Sequence, residues 1–138
     1  MARESWGVGE MKDFRKLKVW EKAHELTVEV YRASGRFPRS EMFGLATQLR
    51  RAAVSVASNI AEGCGRNSDG ELSRFAGFAM GSASEVEYQL LLARDLGYID
   101  ETETAVLSAR AVEVKRMLGG LIRRLSKPEG RRLPAAAS

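Results

Sequence analysis

The feature of this 138-residue sequence that most limits its fold is the recurrence of apolar residues at helical spacing in four segments separated by helix breakers. The first segment, from Leu17 onward, sets a broad apolar face opposite a charged one and ends at Gly35. The second is predicted to begin near residue 41, with Ser40 as its N-cap, and to end at a turn over 63–68. The pattern therefore favours amphipathic helices.

The third segment is predicted to run from Asp69 to Leu96. Ser68 and Glu71 have the spacing of a capping box at its start. Gly97 is suited to the left-handed residue that closes such a helix. Phe78, Leu92 and Leu96 project from a different side than the main stripe, so this helix carries more apolar surface than one core contact requires.

The fourth segment opens with the pair Asp100 and Glu103 and ends before Pro128. Short connections between long amphipathic helices make neighbours antiparallel, so the sequence predicts an all-α fold, an antiparallel up-and-down four-helix bundle. We assign the bundle to residues 14–127, an N-terminal extension to 1–13 and a disordered tail to 128–138. Met11 is an alternative start to Met1.

Charge is distributed unevenly along the chain. Residues 69–103 carry two basic and eight acidic groups, a net charge of −6, whereas residues 110–132 carry eight basic and two acidic groups, a net charge of +6. Two explanations stay open. Neighbouring helices can attract each other, or the basic segments can form a surface for phosphate backbones.

The longest apolar runs fall far short of the roughly 18 residues that span a bilayer, so the sequence predicts no membrane partner. The N-terminus lacks the apolar region of a secretory signal, and Cys64 is the only cysteine. Both observations favour a cytoplasmic location. Cys64 lies beside two glycines, where it could be exposed, although a neutral structural role is favoured.

The sequence supports no catalytic site, metal site or cofactor. His24 is the only histidine, and a polar side chain at the border of an apolar helix face is its simplest interpretation. Ser58 has no histidine or lysine base in its motif to activate it. Asn59 is predicted to make a buried hydrogen bond between helices or subunits rather than to contact a ligand. Glu85 and Glu87 point about 200 degrees apart on a helix, so they cannot share one site.

Basic residues are the better functional candidates. On the fourth helix several recur on one outward side, where they could track phosphates, while two flank the core stripe of the second helix and others form a basic N-terminal arm. The predicted nucleic-acid-binding residues are Lys16, Lys18, Arg50, Arg51, Lys115, Arg116, Arg123 and Lys127. Ion pairing of these arginines with the acidic third helix or a neighbouring subunit stays open as an alternative.

A resemblance to a known family rests on motifs spread from about Met11 to Lys127. The most specific is the Ser-Asn-Ile-Ala-Glu-Gly stretch at 58–63. Others are Val19-Trp20, Phe37-Pro38, Phe43-Gly44-Leu45, Gln48-Leu49-Arg50-Arg51-Ala52-Ala53, Arg74-Phe75, Gly81-Ser82 and Leu96-Gly97-Tyr98. With these motifs the chain resembles the ribosomal-RNA intervening-sequence proteins.

The resemblance implies a four-helix bundle that assembles as a homopentamer. A related branch is similar to the accessory variability proteins of diversity-generating retroelements, basic pentamers that bind nucleic acid and a reverse transcriptase. A reverse transcriptase is therefore an implied partner only if the gene lies beside one. The leading hypothesis is a non-enzymatic homo-oligomeric accessory protein that binds RNA or DNA. The alternative is a protein-interaction scaffold whose oligomer interface includes Phe78, Leu92 and Leu96.

Overall fold

A computed structural model describes residues 13–126 of the chain. Four α-helices account for most of these residues: α1 (Lys18–Ser34), α2 (Leu45–Cys64), α3 (Asp69–Asp95) and α4 (Glu101–Leu125). Two short 3-10 turns, Phe14–Lys16 and Arg39–Glu41, precede α1 and α2. No strand occurs within residues 13–126, and the packing of α3 against α2 and α4, and of α1 against the same two helices, confirms the four-helix bundle.

The predicted ends of α3 and α4 are confirmed in detail. The hydroxyl of Ser68 accepts a hydrogen bond from the backbone N–H of Glu71 at 3.1 Å, and Asp100 Oδ1 accepts one from the N–H of Glu103 at 2.7 Å. Each contact satisfies a donor that the first helical turn leaves without an intrahelical partner. After α3, Gly97 has φ +81°, a conformation that side chains with a Cβ rarely adopt.

The start of α2 differs from the sequence prediction. The helix begins at Leu45 rather than near residue 41, and Ser40 lies in the preceding 3-10 turn. The carboxylate of Glu41 provides the cap instead, because its Oε1 accepts a hydrogen bond from the backbone N–H of Leu45 at 3.0 Å. Its Oε2 accepts a second hydrogen bond at 3.0 Å from the hydroxyl of Tyr98, which follows α3. Glu41 therefore ties the α1–α2 connection to the α3–α4 connection.

The hydrogen bond between Tyr98 and Glu41 predicts a pH-dependent contribution to the free energy of unfolding. The hydrogen bond donated to Glu41, together with partial burial and the nearby negative charge, raises the pKa of Tyr98 above its ordinary value. A raised folded-state pKa means that the contribution is complete below the unfolded pKa of about 10 and is lost as the pH rises through the folded value. We expect the difference in unfolding free energy between the native protein and Tyr98→Phe to shrink above about pH 10. Urea titrations of both proteins check this, and a difference that is constant with pH would contradict it.

The core of the bundle is rich in alanine where α2 meets α3. Small side chains allow the backbones of two helices to approach closely. The two helices approach closely at Gly63, where an added Cβ would lie 2.9 Å from Cδ1 of Leu72 and 2.9 Å from Cβ of Phe75. The fully buried alanines of these two helices are Ala46 and Ala53 on α2 and Ala76, Ala79, Ala83 and Ala93 on α3.

Candidate nucleic-acid interface and oligomer face

The structure divides the eight predicted nucleic-acid-binding residues into three groups. Five have exposed side chains. They are Lys16, Lys18, Arg51, Arg116 and Arg123. Two others, Arg50 and Lys115, are partly buried and make contacts within the chain. The last, Lys127, lies outside the described residues, as do most of the predicted N-terminal extension and the whole predicted tail at 128–138.

Arg50 joins α2 to the end of α1. Its Nε donates a hydrogen bond to the hydroxyl of the buried Ser34 at 2.7 Å, and Nη2 donates to the carbonyl of Tyr31 at 3.3 Å. The guanidinium also lies 4.7 Å from the centre of the Tyr31 ring. An arginine held by two hydrogen bonds and a ring contact is well suited to fixing the helix pair.

Lys115 joins α4 to α3. Its ammonium group lies 2.7 Å from Oε1 of Glu87, and both side chains are about 30% exposed. Arg110, one turn and a half earlier on α4, pairs with Glu29 of α1. Part of the uneven charge distribution therefore serves contacts between helices of one chain, as the first of the two explanations predicts. Arg51, Arg116 and Arg123 have no comparable ion pair among those found in the described residues.

A groove between the start of α1 and the end of α4 brings basic residues from the two ends of the sequence together. It has a volume of about 210 Å³ and an apolar floor that includes Leu17, Met117 and Leu121. Lys18 of α1 and Arg124 of α4 both line it. We call it the α1/α4 groove.

Arg116 and Arg123 are exposed, seven residues apart and on the same side of α4. The guanidinium of Arg123 extends back along α4 over a pair of glycines: an added Cβ at Gly119 would lie only 3.5 Å from Nη1 of Arg123. Since Gly120 lines the α1/α4 groove and an added Cβ there would lie 3.9 Å from Nη2 of Arg123, the guanidinium of Arg123 lies at the edge of this groove. The N-terminal arm and the fourth helix were predicted as separate basic segments, and antiparallel packing of α1 and α4 is what unites them.

The predicted oligomer interface lies on the outer side of α3. Phe78 is 48% exposed and Leu96 is 51% exposed, while Leu92 is partly buried. Sequence periodicity missed two further residues on this outer side, Tyr88 and Leu91, which are 60% and 41% exposed. A count of apolar positions outside the main stripe of α3 would have included both. Exposed apolar side chains that cluster on one helix mark a surface for another molecule.

The residues that the sequence rejected as catalytic are separated in the structure. Glu85 accepts a hydrogen bond from Gln89 at 3.2 Å, whereas Glu87 pairs with Lys115, so the two carboxylates face different neighbours. Asn59 donates to the carbonyl and the hydroxyl of Ser55, within its own helix rather than between helices. Within residues 13–126 no three His, Cys, Asp or Glu side chains are grouped to hold a metal ion, and none of the helices is both long and apolar enough to cross a membrane.

Cys64 is buried at the end of α2, with 2% of its surface exposed. Burial, with a smaller contribution from the charge of Asp13, raises the pKa of the Cys64 thiol to about 11. Since only the thiolate reacts, we expect iodoacetamide to modify native Cys64 at pH 8 more than about tenfold more slowly than urea-unfolded protein. Mass spectrometry of timed samples checks this at the single cysteine of the chain. Equal rates in the two states would contradict the burial of this thiol.

Comparison with known proteins places the chain in a family. No curated protein matches it. A crystal structure from Bacteroides thetaiotaomicron, described as a protein with unknown function from the S23 ribosomal protein family, has the same fold: the TM-score is 0.68 and the sequence identity 23%, over 75% of this chain and 97% of that chain. The family model of the 23S rRNA-intervening sequence proteins matches residues 15–120. The chain therefore belongs to the 23S rRNA-intervening sequence protein family.

Proposed function

We propose that this protein is a non-enzymatic, homo-oligomeric accessory protein that binds RNA or DNA through the basic surface around the α1/α4 groove. The observation that carries the proposal is the α1/α4 groove, which Lys18 of α1 and Arg124 of α4 line together, with the exposed Arg123 at its edge and the exposed Arg116 two turns earlier on α4. Cations spaced along a surface neutralise successive phosphates and release their counterions. Arg50 and Lys115 are partly buried and each makes hydrogen bonds within the chain, so they add positive charge to the surface without being its main phosphate contacts.

Phosphate contacts position a nucleic acid without reading its sequence, so the proposal includes no base-specific recognition by these residues. Assembly strengthens such contacts. The chain has a formal net charge of +4, so a ring of five copies would carry about +20. Several weak sites on one particle then act on the same strand, and the overall affinity exceeds that of any single site.

Fluorescence anisotropy tests the binding. A labelled single-stranded RNA is titrated with protein whose mass in solution has been measured by light scattering, and the titration is repeated at several salt concentrations. The proposal predicts an affinity that falls steeply with salt, from a particle of several chains. Absence of binding at low salt would refute nucleic-acid binding, and a monomeric mass would refute the oligomer.

The oligomer has its own test on α3. We expect the double substitution Phe78→Glu and Leu96→Glu to shift the mass in light scattering toward that of one chain, because it places two carboxylates on the proposed apolar interface. Val106→Glu on α4 is the matched control, since Val106 is 46% exposed and also apolar. A particle of unchanged mass in the α3 variant would mean that this face is not the interface.

The second candidate function is a scaffold that assembles with itself or other proteins and binds no nucleic acid. The extent of exposed apolar surface on α3 favours it, because four large side chains there contribute little to the core of one chain. Neutralising the basic residues distinguishes the two functions. Lost RNA binding with an intact oligomer supports the accessory protein, and a broken oligomer supports the scaffold.

A further inference from the structure

Aromatic side chains follow one side of α1, next to α2. We call them the aromatic track: Phe14, Trp20, His24 and Tyr31. The indole of Trp20 and the imidazole of His24 are stacked, with ring centroids 4.9 Å apart and planes within 8° of parallel. Phe14 packs against the same indole at 4.9 Å, with its ring inclined by 60°. These contacts fix the orientation of the indole and, through it, of the imidazole.

Exposure increases from one end of this stack to the other. Trp20 is half-buried and packs against the hydrophobic core, whereas His24 is exposed. The stack therefore begins at the core and ends in a ring that solvent reaches. An exposed planar ring, backed by a second ring in parallel orientation, is a surface on which another planar group can stack.

The side of α2 next to the aromatic track carries exposed side chains as well. Thr27 of α1 donates a hydrogen bond to the carbonyl of Ala53 at 3.1 Å, which fixes the register of the two antiparallel helices. That register places His24 opposite the turn of α2 that contains Val54 and Ser58, both exposed. The exposed ring of His24 therefore lies on the side of α1 that adjoins these exposed side chains of α2.

Positive charge lies at both ends of the aromatic track. Lys16 and Lys18 are exposed between Phe14 and Trp20 in the sequence. At the other end, Tyr31 is 45% exposed, and the guanidinium of Arg50 lies 4.7 Å from its ring centre. Rings combined with nearby cations are the combination that holds unpaired nucleotides without sequence preference, because bases stack on the rings while phosphates contact the cations.

We propose that the aromatic track binds unpaired bases of single-stranded nucleic acid, with one base stacked on the exposed ring of His24. This inference rests on the proposed nucleic-acid binding and specifies that the bound nucleic acid is single-stranded. Bases inside a duplex are already stacked on each other, so the aromatic track favours single strands over duplexes, and unpaired regions of folded RNA over its helices.

Trp20 reports base stacking directly. The chain has one other tryptophan, Trp6, so Trp6→Phe leaves Trp20 as the only indole. This protein is titrated with a uridine oligonucleotide, a thymidine oligonucleotide of the same length, and an abasic oligonucleotide that keeps the phosphates and lacks the bases. We expect the oligonucleotides with bases to change the Trp20 emission and to bind about fivefold or more tightly than the abasic strand.

Substitutions of His24 separate stacking from phosphate contact. His24→Ala is expected to weaken binding of the uridine oligonucleotide about fivefold without changing the slope of affinity against salt, because no phosphate contact is removed. His24→Phe keeps a planar ring and should retain most of the affinity. Gln48→Ala is the matched control, since Gln48 is an exposed neutral side chain on α2 away from the aromatic track. Thermal unfolding of each variant confirms that the fold is intact.

The two proposals fail in different ways. If the native protein binds all three oligonucleotides equally with a steep salt dependence, and His24→Ala matches Gln48→Ala, the aromatic track does not bind bases while the basic surface still binds phosphates. If no oligonucleotide binds at low salt, the proposed function fails and this inference fails with it. If His24→Ala loses more affinity for the uridine oligonucleotide than His24→Phe does, and the slope of affinity against salt is unchanged, the stacking site is supported.

Discussion

A variant in which Lys18, Arg116 and Arg123 are all changed to glutamine is expected to bind single-stranded RNA about 100-fold more weakly than the native protein at about 0.1 M salt. Each phosphate contact on a single strand contributes about 0.7 to the slope of log affinity against log salt, so three contacts contribute about 2. If the two proteins bind equally at about 1 M salt, where the electrostatic contribution is small, their affinities differ by about two orders of magnitude at a tenfold lower concentration. Anisotropy across this salt range measures both the affinity and the slope.

The matched control removes the same net charge elsewhere. Arg36, Arg66 and Arg94 are paired with Glu103, Glu62 and Asp95 of the same chain, as Lys18 is with Glu21. Changing these three arginines to glutamine also lowers the net charge by three, but it removes none of the residues around the α1/α4 groove. If binding depends on a local basic surface, the control variant should lose much less affinity for single-stranded RNA than the test variant. Equal losses in the two variants would mean that only net charge matters, and they would refute the assignment of these residues.

Gly63→Ala is expected to lower the free energy of unfolding by about 1–3 kcal/mol, the usual range for an overpacked core position. The new methyl group would lie 2.9 Å from Cβ of Phe75, an atom next to the backbone that cannot move away without shifting α3. Alanine is otherwise the better helix former by about 1 kcal/mol, so a net loss would show that packing outweighs helix propensity at this position. Urea unfolding at one protein concentration measures the change.

Gly77→Ala makes the same chemical change on α3, where an added Cβ would meet no atom within 4 Å. Because Gly77 lies within a helix and is exposed, this substitution should raise the free energy of unfolding by about 0.5–1 kcal/mol. Opposite signs for the two substitutions are the expected result. A stabilising effect at both positions would mean that α2 and α3 do not approach closely at Gly63.

Local signals in the sequence predict the number and type of the helices and most of their ends. Four apolar stripes with a period of 3.6 residues, two capping boxes and one glycine after α3 are local signals that depend only on neighbouring residues. The prediction was wrong at the start of α2. There the cap is Glu41, four residues before the helix, and its position depends on a hydrogen bond from Tyr98, distant in the sequence.

The role of each basic and aromatic residue depends on how the helices pack against one another. Arg50 and Arg51 are adjacent in the sequence, yet the first is held against Ser34 and Tyr31 while the second is exposed. Likewise, Lys115 pairs with Glu87 and its neighbour Arg116 is exposed. Successive residues on a helix point about 100 degrees apart, so which one meets another helix depends on the rotation and register of packing. Those quantities are set by side-chain contacts between helices that are far apart in the sequence, and no local pattern encodes them.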